Sequence, residues 1–263
     1  MFEANNLKVY IEYKSDIPLN SDMMVAIEGF EMLGYIIKSF TKLDIATGKF
    51  SHLYKTYPFV GSTDAMKHLF KTLNCLPPNL DRLAYWPLRR FYNRHMNCSA
   101  HLSEVFYIWE RQDELYGEPV FVKPIEPKLF DGGLIQKPND LHRLKSFPEA
   151  TKVIISEPIL KSIKSEYRCF VFNNQLVDIR GYKGDFRYYP DKFHLAALYN
   201  MIDNFKEMIS PIAYTFDIAL LEDSELILIE TSDFYSIGQY GLDPELYAKM
   251  LEARYLEILN SAE

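Results

Sequence analysis

Apolar and polar residues alternate over positions 8–13, with Val9, Ile11 and Tyr13 on one side, and this period of two predicts a β-strand. Ser21-Asp22 then offers a cap for a helix over residues 24–33, which Gly34 ends before the apolar run Tyr35-Ile36-Ile37 starts a second strand. Tyr57-Pro58-Phe59-Val60-Gly61 reads as a third, short strand, and Ser62-Thr63-Asp64 as the cap of a helix over 65–73. Strand, helix, strand, then strand and helix predict a small α/β layer domain over residues 1–90. Leu76-Pro77-Pro78-Asn79-Leu80 and Trp86-Pro87 read as its exit linker.

The pattern changes from about residue 96. Ser99 and Ser103 offer caps for a helix through residue 115, and Pro119-Val120-Phe121-Val122-Lys123 and Lys152-Val153-Ile154-Ile155-Ser156 predict strands. Residues 168–172 and 175–180 predict a hairpin about Asn173-Asn174. Pro190-Asp191 opens a helix whose apolar stripe holds Phe193, Ala196, Ala197, Met201, Phe205 and Met208, with Pro211 as its stop. A second hairpin spans about 214–229, and Asp243-Pro244 starts a closing helix with proline at the first helical position. Residues 91–263 therefore read as α+β with mostly antiparallel strands.

At 263 residues and 48% hydrophobic content the chain can bury a large core, and 11 glycines exclude collagen-like sequence. A net charge of −7 gives no global attraction to nucleic acid, which argues against that partner. The basic cluster Arg89, Arg90 and Arg94 with Trp86, Phe91 and Tyr92 leaves a local groove open, but a solvated linker face, or an arginine reaching into the neighbouring domain's site, is the favoured reading. Three scattered cysteines, no signal-peptide pattern and no membrane-length apolar run lead us to expect a cytoplasmic location with reduced thiols. Six histidines without ligand spacing argue against zinc, and neither GxSxG nor a Walker or GxGxxG loop occurs.

Candidate chemistry starts with two acids. Asp217 lies in Tyr214-Thr215-Phe216-Asp217-Ile218 and Glu230 follows Leu226-Ile227-Leu228-Ile229, so each sits in a run apolar enough to be buried, and buried acids need partners. With Glu222-Asp223 as a two-residue turn, Asp217 and Glu230 are diagonal neighbours on one face, placed to grip a divalent cation; a slip of one residue separates them. Taken singly, either acid reads more readily as a solvated strand residue. Lys123 ends an apolar strand before a loop holding Lys128 and Asp131-Gly132-Gly133, a placement suited to phosphate oxygens; a snorkelling strand-end lysine is the alternative. Ser156-Glu157-Pro158-Ile159 leaves a strand in extended geometry, with backbone groups able to meet an adenine edge, or as an ordinary strand exit. Arg168 faces Arg180 if the Asn173 turn holds three residues and points away from it if the turn holds two. Facing arginines need an anion between them, or local acids such as Glu166 and Asp178 as partners.

In this order the segments resemble the ATP-grasp superfamily. Phe121-Val122-Lys123-Pro124 is similar to that family's phosphate-binding lysine strand, and Ile155-Ser156-Glu157-Pro158-Ile159 to its adenine hinge. Glu166-Tyr167-Arg168-Cys169-Phe170-Val171 resembles its arginine-bearing hairpin, and Asp217 with Glu230-Thr231-Ser232 its metal-binding Asp…Glu-x-Asn at the same interval of 13 residues. Glu230-Thr231-Ser232-Asp233, followed by Gly238-Gln239-Tyr240-Gly241, resembles a viral and bacterial clade in which an arginine replaces one ATP-binding lysine, and Arg94 is the candidate for it. One departure is clear: Ser232 stands where the family has asparagine, and Asp233 is the residue available to compensate.

The resemblance implies a fold with two antiparallel-sheet subdomains clasping a nucleotide, one lobe about 100–160 and the other about 161–263. It implies an ATP-dependent carboxylate–amine ligase that forms a C–N bond through an acyl phosphate and uses ATP and Mg²⁺. The substrate would be a small molecule or a peptide, in a bacterial cell or, for a phage protein, in its host. Lys123, Lys128, Arg94, Glu157 and Ile159 would bind the nucleotide, and Arg168 and Arg180 would be catalytic. Asp217, Glu230, Ser232 and Asp233 would hold the metal. The alternative is an ATP-binding module without ligase chemistry that works through protein contacts.

Overall fold

The structure is a computed structural model, and it describes residues 7–92, 97–110, 119–126, 129–159, 161–209 and 211–261. Two compact units emerge, one formed by Met1–Phe91 with Ile163–Glu263 and the other by Tyr92–Ser162.

In the first unit β1 (Lys8–Lys14) runs parallel to β3 (Ile36–Phe40) and β4 (Phe59–Val60), with β2 (Ile17–Pro18) folded back antiparallel on it. Helices α1 (Ser21–Met32) and α2 (Lys42–Ala46) lie in the crossovers, and α3 (Thr63–Thr72) follows β4. The expected α/β layer is present. Asn20, rather than Ser21 or Asp22, caps α1 by accepting from the Met23 amide at 3.1 Å, whereas Ser62 caps α3 as expected. The expected linker instead contains α4 (Leu80–Leu88). Asn79 accepts from the Arg82 amide at 3.3 Å, and Leu80, Ala84 and Leu88 form one buried stripe. Pro87 falls in the last turn, where it removes a single helical hydrogen bond.

The second unit holds β5 (Asn97–His101), α5 (Leu102–Glu110), β6 (Val120–Pro124), β7 (Gly133–Ile135) and β8 (Lys152–Ser156), in an antiparallel sheet ordered β5-β8-β6-β7. Ser99, expected to cap a helix, lies within β5, and the helix begins only at Leu102. Residues 111–115 of the expected helix lie outside the described residues. Leu102, Val105, Val122, Ile135, Leu141 and Val153 form this unit's own core.

The chain then returns to the first unit with β9 (Ile163–Phe172), β10 (Gln175–Gly184), α6 (Lys192–Lys206), β11 (Ala213–Leu221), β12 (Leu226–Asp233) and α7 (Pro244–Asn260). The four strands form an antiparallel sheet ordered β10-β9-β11-β12. Leu198, Met201, Ile202 and Phe205 of α6 are buried, with Phe205 against Tyr214 and Phe216 of β11. Phe193 and Met208, expected on that stripe, are 72% and 62% exposed. Phe193 lies about 140° round the helix from Leu198, and Met208 lies beyond the helix end. The opposite face of the sheet shares one core with the α/β layer, in which Phe170, Ala213 and Phe234 meet Val9, Ile11, Phe30 and Tyr247. Gly29 lets α1 approach α7 closely, since a Cβ there would overlap the Pro244 carbonyl.

Candidate active site

The turn between β11 and β12 has three residues, Glu222, Asp223 and Ser224, not the two expected. The Leu221 amide donates to the Glu225 carbonyl at 2.9 Å, and Ser224 takes the left-handed conformation (φ 65°) that such a turn requires. A bulge at Ile229 inserts a second residue before Glu230. The two shifts together keep Asp217 and Glu230 on one face, as expected, but set them directly opposite each other rather than diagonally.

A similar adjustment governs the arginines. The β9–β10 turn is the two-residue Asn173-Asn174, with φ of 50° and 58°, which would put Arg168 and Arg180 on opposite faces. A bulge at Val177 supplies the missing residue, and Arg180 faces Arg168 directly. Arg168 in turn faces Asp217 on β11. Arg180, Arg168, Asp217 and Glu230 therefore form one row straight across four strands, two cations followed by two anions.

At the centre of that row Arg168 donates from Nε and a terminal nitrogen to the two oxygens of Asp217, at 2.8 and 2.7 Å. Both residues are buried, 6% and 3% exposed. Burial opposes the guanidinium charge, but the hydrogen bonds and charge of Asp217 outweigh it, and Arg168 is held above the ordinary arginine range. The remaining terminal nitrogen reaches the Gly238 carbonyl at 3.2 Å, and the guanidinium lies 4.6 Å from the Tyr240 ring centre, which itself stacks on Tyr182. Arg180 is more open and pairs with Asp178 at 2.7 Å, the local-acid alternative. Glu166, named as a partner for Arg168, instead accepts from the Tyr182 hydroxyl at 3.0 Å and from Lys183 at 2.5 Å.

Ser232 lies two residues along the same strand as Glu230, with its hydroxyl 3.5 Å from a Glu230 carboxylate oxygen. Asp233 is held elsewhere. Its oxygens accept from Arg254 of α7 at 2.8 and 2.5 Å, and one also accepts from the Tyr235 amide. The Thr215 hydroxyl, on the strand position opposite Ser232, is buried with no hydrogen-bond partner among the described residues. No group of three or more His, Cys, Asp and Glu residues among those described could hold a metal. Two facing carboxylates flanked by hydroxyls nevertheless offer oxygen atoms of the kind a hard cation takes, since each Asp217 oxygen retains a lone pair beside its bond to Arg168.

In the second unit, Lys123 sits on β6 opposite Ile154 of β8. Gly132 closes against this strand: a Cβ there would lie 2.8 Å from Phe121 and 3.1 Å from the Lys123 Cβ. Glu157 and Ile159 follow β8, both half-buried and outside helix and strand. Lys128 and Arg94 lie outside the described residues.

The ionic partners of Arg168 and Asp233 were not found from the sequence. The usable signal was an arginine within the apolar run Tyr167-Arg168-Cys169-Phe170, since a buried guanidinium requires a carboxylate. Arg254, on a helix whose neighbours alternate in character, gave no comparable signal.

No curated protein matches the chain. Among solved structures, D-alanine–D-alanine ligase from Bacillus anthracis, complexed with ATP, aligns with a TM-score of 0.51 at 13% identity, over 97% of this chain and 95% of that one. N5-carboxyaminoimidazole synthetase from Staphylococcus aureus aligns with a TM-score of 0.60 at 12% identity, over 94% and 77%. A macrocyclase bound with its precursor peptide, from Microcystis aeruginosa, aligns with a TM-score of 0.51 at 11% identity, over 94% and 100%. At these identities the likeness is one of fold, the ATP-grasp fold with its antiparallel sheets. A family model for an ATP-grasp domain, the second family of its clade, matches residues 102–250. That match spans more than half of the chain and includes both Lys123 and the Asp217–Glu230 row, and the protein belongs to this ATP-grasp family.

Proposed function

We propose that this protein is an ATP-dependent carboxylate–amine ligase acting on a small-molecule or peptide substrate. The observation that supports the reading is the row Arg180–Arg168–Asp217–Glu230, two cations beside two anions on one sheet of an ATP-grasp chain. In the reaction a substrate carboxylate oxygen bonds to the γ-phosphorus while the bridging bond to the β-phosphate breaks and ADP leaves. An amine then attacks the acyl carbon, loses a proton, and displaces phosphate to leave a C–N bond. Phosphoryl transfer needs in-line positioning and charge neutralisation more than covalent help.

Lys123, with Lys128, is assigned to the phosphates, and an arginine in the place of the family's second lysine is assigned to Arg94. Glu157 and Ile159 flank the adenine. Arg180 meets the transferring phosphate or the substrate carboxylate, where a planar fork binds two oxygens at once. Arg168 acts through Asp217, holding its carboxylate in place. Asp217, Glu230 and Ser232 would hold Mg²⁺, which neutralises phosphate charge when bound. Asp233 pairs with Arg254 much as Asp217 pairs with Arg168, and it is a further candidate oxygen donor. A small amine or peptide as substrate is supported by neighbours of this fold, one a D-alanine–D-alanine ligase and one bound with its precursor peptide.

Calorimetry of Mg-ATP binding, followed by a screen for ADP release with amino acids and peptides, tests this. Binding by the wild type that weakens at least tenfold in Lys123→Ala and Glu230→Ala, with substrate-dependent ADP release, is the expected result. Binding without such release from any substrate would favour the nucleotide-binding module, and no binding would sink both readings.

A further inference from the structure

Thr215 is fully buried on β11, and its hydroxyl finds no partner among the described residues. Its cross-strand neighbours are Ser232 on β12 and Phe170 on β9, and Ala213 and Phe170 bring the core up to it from one side. Valine has the same shape and would fill this position without burying an unsatisfied polar group, so packing alone disfavours a hydroxyl here.

The register sets which side chains share a face with Thr215. Thr215 opposes Ser232, and Asp217 opposes Glu230, with no bulge between the two pairs. Directly opposed residues share a face with Cβ atoms about 5 Å apart, and residues two apart on a strand are separated by about 7 Å. Thr215, Asp217, Glu230 and Ser232 thus form a compact square of four oxygen-bearing side chains on one face. Two of its corners are charged, Ser232 is already within 3.5 Å of Glu230, and the Thr215 oxygen has no hydrogen-bond partner among the described residues.

We infer that the Thr215 hydroxyl is a neutral oxygen donor to a divalent cation held by Asp217, Glu230 and Ser232. The inference rests on the cation site of the proposed function and adds to it a residue that neither motif nor charge marks. It also accounts for a site with only two carboxylates, since hard cations accept hydroxyl oxygens alongside carboxylates and water.

The ladder contains its own control. Thr231 is also buried with an unpartnered hydroxyl, but it opposes Phe216 and so lies on the other face of the sheet. The experiment is a titration of the full chain with Mn²⁺, the free ion read by electron paramagnetic resonance, and thermal melts are recorded without metal. Thr215→Val is expected to weaken Mn²⁺ binding at least tenfold, the scale of losing one supporting group at a metal site, while its metal-free melting temperature is unchanged or raised. Thr215→Ser is expected to keep wild-type affinity, and Thr231→Val to stay within twofold of it. If Glu230→Gln loses Mn²⁺ but Thr215→Val binds within twofold of wild type, the role of Thr215 is overturned and the cation site stands. If wild type binds no Mn²⁺, or Glu230→Gln binds as well as wild type, the cation site itself is overturned.

Discussion

The Arg168–Asp217 pair shows what a single residue costs in this protein. Two charges taken out of water repay their desolvation only when the geometry is good, and here two short hydrogen bonds join the partners across adjacent strands. Asp217→Asn would leave the Arg168 guanidinium buried without its paired carboxylate, and we expect a loss of about 3–5 kcal/mol in urea denaturation. The double variant Arg168→Met with Asp217→Leu removes both charges and should recover most of that loss. Equal destabilisation of the single and double variants would show that packing, and not charge, holds the pair. Asp217, Glu230, Arg168 and Lys123 stood out as candidates because polar residues in or at the end of apolar runs are conspicuous. Their partners were not legible, since Arg168 and Asp217 stand 49 residues apart and nothing local links them.

At the scale of the element, capping explains both successes and misses. Ser62 and Asp243 cap their helices where the sequence suggested, whereas α4 was hidden because its cap, Asn79, follows two prolines. Four aspartates at helix or turn starts titrate below the usual range, among them Asp185, which its hydrogen bonds from Arg187 bring down to about 2. For Asp44, burial alone would raise the carboxyl, but hydrogen bonds from Lys49 and Thr41 outweigh it. The Gln136 amide leads in lowering Asp140, and the His194 amide in lowering Asp191. Each group has a folded pKa below its unfolded value, so its contribution is complete above the ordinary carboxylate pKa of about 3.9 and disappears as pH falls through the folded value. Melts followed by circular dichroism should therefore be nearly flat in pH above about 5 and decline below about 4. In Asp191→Asn, which keeps the cap without the charge, the decline should be shallower; an identical decline would remove Asp191 from the account. Bulges are the other lesson at this scale. Val177 and Ile229 each change register by one residue, and they build the row that turn length alone would not.

Across the whole molecule, each unit carries a core of its own. Leu102 is fully buried in the core of the second unit, and Leu102→Ala should cost about 2–5 kcal/mol. Hydrogen exchange would locate the loss: amides of β5, β6 and β8 should lose protection while those of β9 and β11 keep theirs. Uniform loss throughout would mean that the units unfold as one. The first unit is assembled from the two ends of the chain, with Val9 and Phe30 in one core with Phe170 and Tyr247. Local pattern was enough for most of the strands (β2, β5 and β7 excepted), most of the helices and the shared face of the two acids, because periodicity, caps and turn residues act over a few residues. Three features came only from folding: the straight row across four strands, the ionic partners within it, and the core shared by the chain's two ends. Each depends on residues distant in sequence, whose pairing is chosen by burial and register and not by any local preference.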